Sequence, residues 1–169
     1  QFWIGEDPFG LVATSNGQLV VSSGSGQWTY IRVFDAQSGA ELGADRGPRE
    51  RTRLALHPSE DIIYGANNGI TPSDIERYDL SDSGTIDRAW DSIYHGQHRM
   101  GGNVWVSPDG QSLISAGGDV YTAGASSRDT DIIYLWTLGP GFYADLKWSV
   151  ARDEIAAIDR SRIFVFDMN

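Results

Sequence analysis

Short apolar runs alternate with tight polar turns along the whole chain, and four stretches share one arrangement. Residues 11–21 (LVATSNGQLVV), 54–64 (LALHPSEDIIY), 104–114 (VWVSPDGQSLI) and 146–156 (LKWSVARDEIA) each read as apolar strand, polar turn, apolar strand. Aligned on Ser15, His57, Ser107 and Ser149, they recur at intervals of 42, 50 and 42 residues. No window of helical length keeps apolar residues at i, i+3, i+4 and i+7 without a Gly, a Pro or a β-branched run breaking it. Segments 19–22, 30–34, 62–64, 132–136 and 163–166 are instead short, aromatic or β-branched and flanked by turn residues, which predicts strands.

The turn chemistry supports the same reading. Asn16-Gly17 tolerates positive φ at both positions of a two-residue hairpin. In Pro108-Asp109-Gly110 the proline presets φ and the glycine closes the turn. Third strands match across units as IRVFD at 31–35, IERYD at 75–79 and IFVFD at 163–167. In the third unit, 119–123 is the third strand and 132–138 the outer one, because placing the third strand at 132 leaves no room for an outer strand before Tyr143.

Repeats of 40 to 50 residues with several strands each are the pattern of propeller blades. The expectation is an all-β chain: a β-propeller of four blade-like repeats of four antiparallel strands. The repeats run over about 10–51, 52–100, 101–142 and 143–169. The last unit ends at its third strand, and Gln1–Gly5 stands where the outer strand of a preceding blade would lie. With residues 1–5 completing the last blade, four blades close alone. Otherwise the chain is half of a larger ring, completed by a second copy or by more of a longer chain.

The run VSPDG at 106–110 followed by Leu-Ile, and the strand IRVFD at 31–35 followed by Ser38-Gly39, resemble the repeats of YVTN-type and WD-repeat-like β-propellers. No unit carries a full Tyr-Val-Thr-Asn or a Gly-His…Trp-Asp pair. The resemblance implies an extracytoplasmic setting of the bacterial or archaeal surface-protein type. It also implies a binding or scaffold role, with lactonases and quinoprotein dehydrogenases as the enzymatic minority. Fold does not decide between these.

Charge narrows the partners. Thirteen basic against 23 acidic residues give a net charge of −10, the wrong sign for a nucleic-acid backbone. No apolar run approaches a membrane span of about 20 residues, so no membrane insertion is expected. The absence of cysteine excludes disulfides, thiol catalysis and thiolate-bound zinc. The chain starts at Gln1, so a processed chain or a fragment is the expectation.

Candidate chemistry gathers in the connections between blades. The segment 94–102 (YHGQHRMGG) holds His95, His98 and Arg99, which suit an anionic or sugar ligand, an acid/base role or two ligands of a metal site. Arg49, Arg51 and Arg53 precede the second inner strand, and Asn67 and Asn68 lie in the loop 65–73. With Arg99 these side chains are expected to form a polar ring around the axis, against the plainer reading of solvated loops. His57, before Pro58, is expected to cap a turn on the opposite face. Trp28 follows Gly24-Ser-Gly26; an exposed ring there can stack on a sugar, but it is read, with the other tryptophans, as a packing residue. Asp79-x-Ser81-x-Ser83-Gly84 is read as a hairpin, since Trp90 stands where a calcium loop needs glutamate.

No nucleophile elbow, phosphate loop or dinucleotide fingerprint is present in the sequence. The leading expectation is a non-enzymatic module that binds a protein or glycan through its loop face, with no catalytic residue, metal or cofactor. The ligand-binding candidates are His95, His98, Arg99, Arg51, Arg53, Asn67 and Asn68. The alternatives are a hydrolase or lactonase-like propeller with an axial metal, and a purely structural repeat of a larger surface protein.

Overall fold

The computed structural model describes residues 1, 4–5, 7–139 and 141–168. Fifteen strands form four antiparallel sheets, and no helix occurs among the described residues. The first sheet is β1 (Pro8–Ala13), β2 (Gln18–Ser23), β3 (Trp28–Asp35) and β4 (Glu41–Arg49). The second is β5 (Arg53–Leu56), β6 (Ile62–Ala66), β7 (Ile75–Leu80) and β8 (Ile86–Asp91). The third is β9 (Val104–Val106), β10 (Ser112–Ser115), β11 (Asp119–Thr122) and β12 (Tyr134–Thr137). The fourth holds β13 (Asp145–Ser149), β14 (Glu154–Ile158) and β15 (Ile163–Asp167). Within every sheet the strands pair in sequence order, which is the up-and-down meander of a propeller blade.

The expected strand over residues 1–5 falls partly on Phe2 and Trp3, which lie outside the described residues. Gln1, Ile4 and Gly5 carry no strand.

The inner hairpins superpose through one hydrogen bond, which corrects the alignment of the first repeat. Glu60 N–H donates to His57 O, Gly110 N–H to Ser107 O and Arg152 N–H to Ser149 O. In the first blade the equivalent bond runs from Gly17 N–H to Thr14 O. Thr14, not Ser15, is therefore the register mark. Residue type misleads here: Ser15 resembles Ser107 and Ser149, but it takes the turn position of Pro58 and Pro108, and Gly17 closes the turn where Glu60 and Gly110 do.

The core lies between blades. Each strand alternates its side chains between two faces, so each blade presents one apolar face to either neighbour. Val20, Ile31 and Val33 of the first blade pack on Ile63, Tyr78, Leu80 and Ile86 of the second. On the other side of the second blade, Ile62, Tyr64, Ala66 and Ile75 meet Met100, Val104, Leu113, Tyr121 and Ile132. Ile114, Val120 and Tyr143 then pack on Leu146, Ile155 and Ala157 of the fourth blade. Among the described residues no buried cluster joins the fourth blade to the first.

Polar ties reinforce these contacts. Asp131 has a buried carboxylate that accepts from Tyr64 (2.9 Å) and Trp90 (3.3 Å) and pairs with Arg77 (3.2 Å), joining the second blade to the third. On the face of the β5–β6 turn, Nδ1 of His57 accepts from Ser59 N–H (3.1 Å), so Nε2 donates to Gly110 O (2.9 Å) in the next blade. His57 thus caps turns, as expected. Glu60 links the first two blades on the same face, accepting from the backbone and hydroxyl of Ser15 at 2.8 and 2.6 Å.

Candidate functional site

The opposite face is built from the β4–β5, β8–β9 and β12–β13 connections and the loops between second and third strands. A cleft of about 210 Å³ opens there between the first and second blades. Trp28 starts β3, Arg49 ends β4, and Asn67, Ile70, Pro72 and Ser73 come from the β6–β7 loop. Asp74 and Glu76 flank the start of β7, Arg88 and Asp91 belong to β8, and Tyr94 and His95 follow it.

Alternation explains this gathering. Glu76 lies on the same face of β7 as Tyr78 and Leu80, the face turned toward the first blade. Its carboxylate accepts from the Tyr78 hydroxyl and pairs with Arg88 at 3.1 Å. Arg88 is fixed to the first blade as well, its backbone N–H donating to Asp45 at 2.8 Å. Asp74 accepts from Ser92 (2.5 Å) and from the backbone of Ile75 (2.7 Å). Burial pushes the carboxyls of both Glu76 and Asp74 above their ordinary range, against the opposing pull of these hydrogen bonds. Asp91 pairs with Arg128 at 2.9 Å. The acidic groups of the cleft therefore all have internal partners.

Two groups face outward or stand unpaired. The indole of Trp28 is 51% exposed, with the guanidinium of Arg49 3.2 Å from its centroid. This corrects the expectation that Trp28 packs. Residues 24–27 (GSGQ) supply no apolar side chain to cover the ring, and the guanidinium of Arg49 lies over it. The side-chain oxygen of Asn67 is buried and has no hydrogen-bond partner among the described residues. Leaving such a group unpaired costs about 1–3 kcal/mol.

The other predicted residues are not brought to one place. His95 is exposed and joins Asn67 in the cleft. His98 turns inward: its ring stacks on Tyr134 (4.4 Å), meets Tyr94 edge-on (4.5 Å) and lies 3.4 Å from Asp119. Arg99 is exposed, and its backbone N–H donates to Asp119 at 3.3 Å. Asn68 is a strut: its amide donates to Arg51 O (2.9 Å) and Gly102 O (3.1 Å) and accepts from Gly102 N–H. Arg51 supplies that carbonyl from a positive φ of 60°. Arg53 stacks on Phe9 at 4.0 Å and, of the seven candidates, is the one that lines the axial groove. That groove, of about 430 Å³, runs past all four inner strands and takes Arg53, Asn103 and Lys147 as its charged or amide side chains. Among the described residues no group of three or more His, Asp or Glu side chains is placed to hold a metal ion.

Asp74, Glu76 and Arg88 line the cleft without being singled out by sequence, and Trp28 was singled out but read as packing. The one available signal was the loop placement of Trp28 after Gly24-Ser-Gly26. The tryptophans as a class gave mixed results: Trp90, Trp105 and Trp148 pack against core clusters, whereas Trp28 and Trp136 are exposed.

No protein-family model matches the chain, and no curated protein matches it. Solved structures do, and they include β-propeller domains. The Cps50 (Swd1) β-propeller domain of Myceliophteria thermophila shares 15% identity at a TM-score of 0.72, over 96% of this chain and 54% of that one. Hydrazine synthase of Kuenenia stuttgartiensis shares 14% at 0.69, over 99% of this chain and 50% of that one. A 6-phosphogluconolactonase-like protein of Bacteroides uniformis shares 15% at 0.67, over 96% and 50%. The chain is similar to them in fold, and it spans about half the length of each.

Proposed function

We propose that this chain is a non-enzymatic binding module that recognises a glycan through the loop-face cleft between its first two blades. One observation carries the reading: a buried carboxamide oxygen of Asn67, unpartnered among the described residues, shares a cleft with the exposed Trp28. An aromatic face gives a sugar ring an apolar platform, and a sugar hydroxyl can donate to the open amide oxygen.

Charge in the cleft supports a neutral ligand. Asp74, Glu76 and Asp91 are set against Arg49, Arg88 and Arg128, so the site is balanced in a protein of net charge −10. A protein ligand would reach the same platform, but a charged peptide would have to displace pairs that are already made. The internal pairing of every carboxylate leaves His95 as the one imidazole in the cleft's lining, without a second acid/base group beside it, which favours recognition over acid/base catalysis. An extracytoplasmic setting suits a glycan binder.

The test is calorimetric titration with neutral oligosaccharides in one series and basic and acidic peptides in another. A neutral oligosaccharide should bind, and Trp28→Ala and Asn67→Ala should each weaken it about tenfold, equivalent to about 1.4 kcal/mol, without changing the circular dichroism. Binding of peptides alone would replace the glycan reading. Oligosaccharide binding unaffected by either substitution would move the site elsewhere.

A further inference from the structure

Among the described residues, one apolar face of the fourth blade is left uncovered. Ile163, the first residue of β15, is 76% exposed, and Val165 is 61% exposed on the same side; Ile158 of β14 is also open. Register shows what this face should do. Ile163 stands where Ile75 stands in the second blade, and Ile158 where Ala66 stands; both of those are fully buried against the third blade. The fourth blade is thus prepared for a successor.

The first blade shows the complementary deficit. Leu11 of β1 stands where Leu54 stands in β5. Leu54 packs into the cluster between the first two blades, whereas Leu11 is 63% exposed. Leu19 and Val21 lie on the same face of that sheet and are only partly buried. One end of the arc lacks a following blade and the other lacks a preceding one. Two such exposed apolar faces are a liability unless covered.

We propose that a second copy of this chain covers both, so that two chains close an eight-bladed ring. The fourth blade of each copy packs on the first blade of the other, repeating the contacts already made between neighbours inside one chain. Four blades of an eight-bladed ring turn through about 180°, so this head-to-tail contact closes after two copies instead of running on as a polymer. In length, the chain spans 50%, 50% and 54% of three solved structures of similar fold, about half of each. The proposal does not depend on the ligand of the cleft, which lies between two blades of one chain.

Light scattering after size exclusion tests it. The purified chain should elute at twice 18.5 kDa. Ile163→Glu, at one end, and Leu11→Glu, at the other, should each raise the dimer dissociation constant at least 100-fold. Neither side chain is buried in the single chain, so circular dichroism should be unchanged. Val165→Lys serves as a second probe of the fourth blade if Ile163→Glu fails to fold. A single-chain mass at all concentrations overturns the proposal and assigns both faces to blades outside these residues. An open series of oligomers overturns it too, because the contact would then not close. A dimer that survives both glutamates places the interface elsewhere and equally overturns it.

Discussion

Replacing Asp131 by asparagine tests the reading of the core between the second and third blades. The carboxylate is fully buried and serves three donors: Tyr64 through Oδ1, and Arg77 and Trp90 through Oδ2. Asparagine keeps the shape and one acceptor. Its amide nitrogen must then face the Arg77 or Tyr64 donors, so at least one of them loses its partner. A charge-assisted bond is worth about 1.5–3 kcal/mol, and an orphaned buried neutral donor costs about 1 kcal/mol or more. Removing one partner of a buried ion pair costs about 3–5 kcal/mol. Arg77 retains Asp79 at 2.8 Å and the carbonyl of Ala125, which places the loss near the lower end, about 3 kcal/mol. For a chain of this size that lowers Tm by about 6–12 °C. Thermal and urea unfolding followed by circular dichroism measure it. Asp79→Asn is the control, because Asp79 is 53% exposed and its pair with Arg77 should be worth less than about 1 kcal/mol. If the two substitutions cost the same, Asp131 does not anchor the blades and the reasoning is refuted.

Other substitutions probe separate parts of the account. Gly110 has a φ of 74°, and a Cβ there would run into the imidazole of His57; Gly110→Ala should cost about 2 kcal/mol or more by urea unfolding, with His57→Ala partly relieving it. Burial raises the folded-state pKa of Glu76, so its ionised form opposes folding at neutral pH, and that penalty disappears as pH falls through the raised value. Glu76→Gln should therefore gain Tm relative to the parent near pH 7, with the gap narrowing toward pH 4.5; a gap that widens on acidification would reverse the sign. Asn68→Ala should loosen the Arg51–Gly102 tie and speed amide exchange at Gly102, whereas Asn67→Ala should leave that exchange unchanged.

The strands were legible because alternation and turn chemistry act locally. The third unit shows this: the limited room before Tyr143 put its third strand at Asp119–Thr122 and its outer strand after the loop. The outer strand begins later than its apolar run, at Tyr134, because Ile132 takes a positive φ of 56° that no residue type announces. The site was less legible because adjacent residues of one type met different fates. Asn67 and Asn68 are neighbours in the same polar loop, yet one is an unpaired group in a cleft and the other a strut. His95 and His98 are separated by two residues, and it is Tyr94, Tyr121 and Tyr134 together with Asp119 that hold His98 inward. Which face a loop residue takes depends on the neighbouring blade, and sequence periodicity does not carry that information.

Assigned side-chain resonances give the most direct test of the binding claim. On titration with a neutral oligosaccharide, the Trp28 indole N–H and the Asn67 carboxamide should shift together, with Arg49 Nε following. The Asn68 carboxamide and the Trp136 indole should stay in place. Shifts confined to Arg53, Asn103 and Trp105 in the axial groove would contradict the account and move recognition to the ring axis.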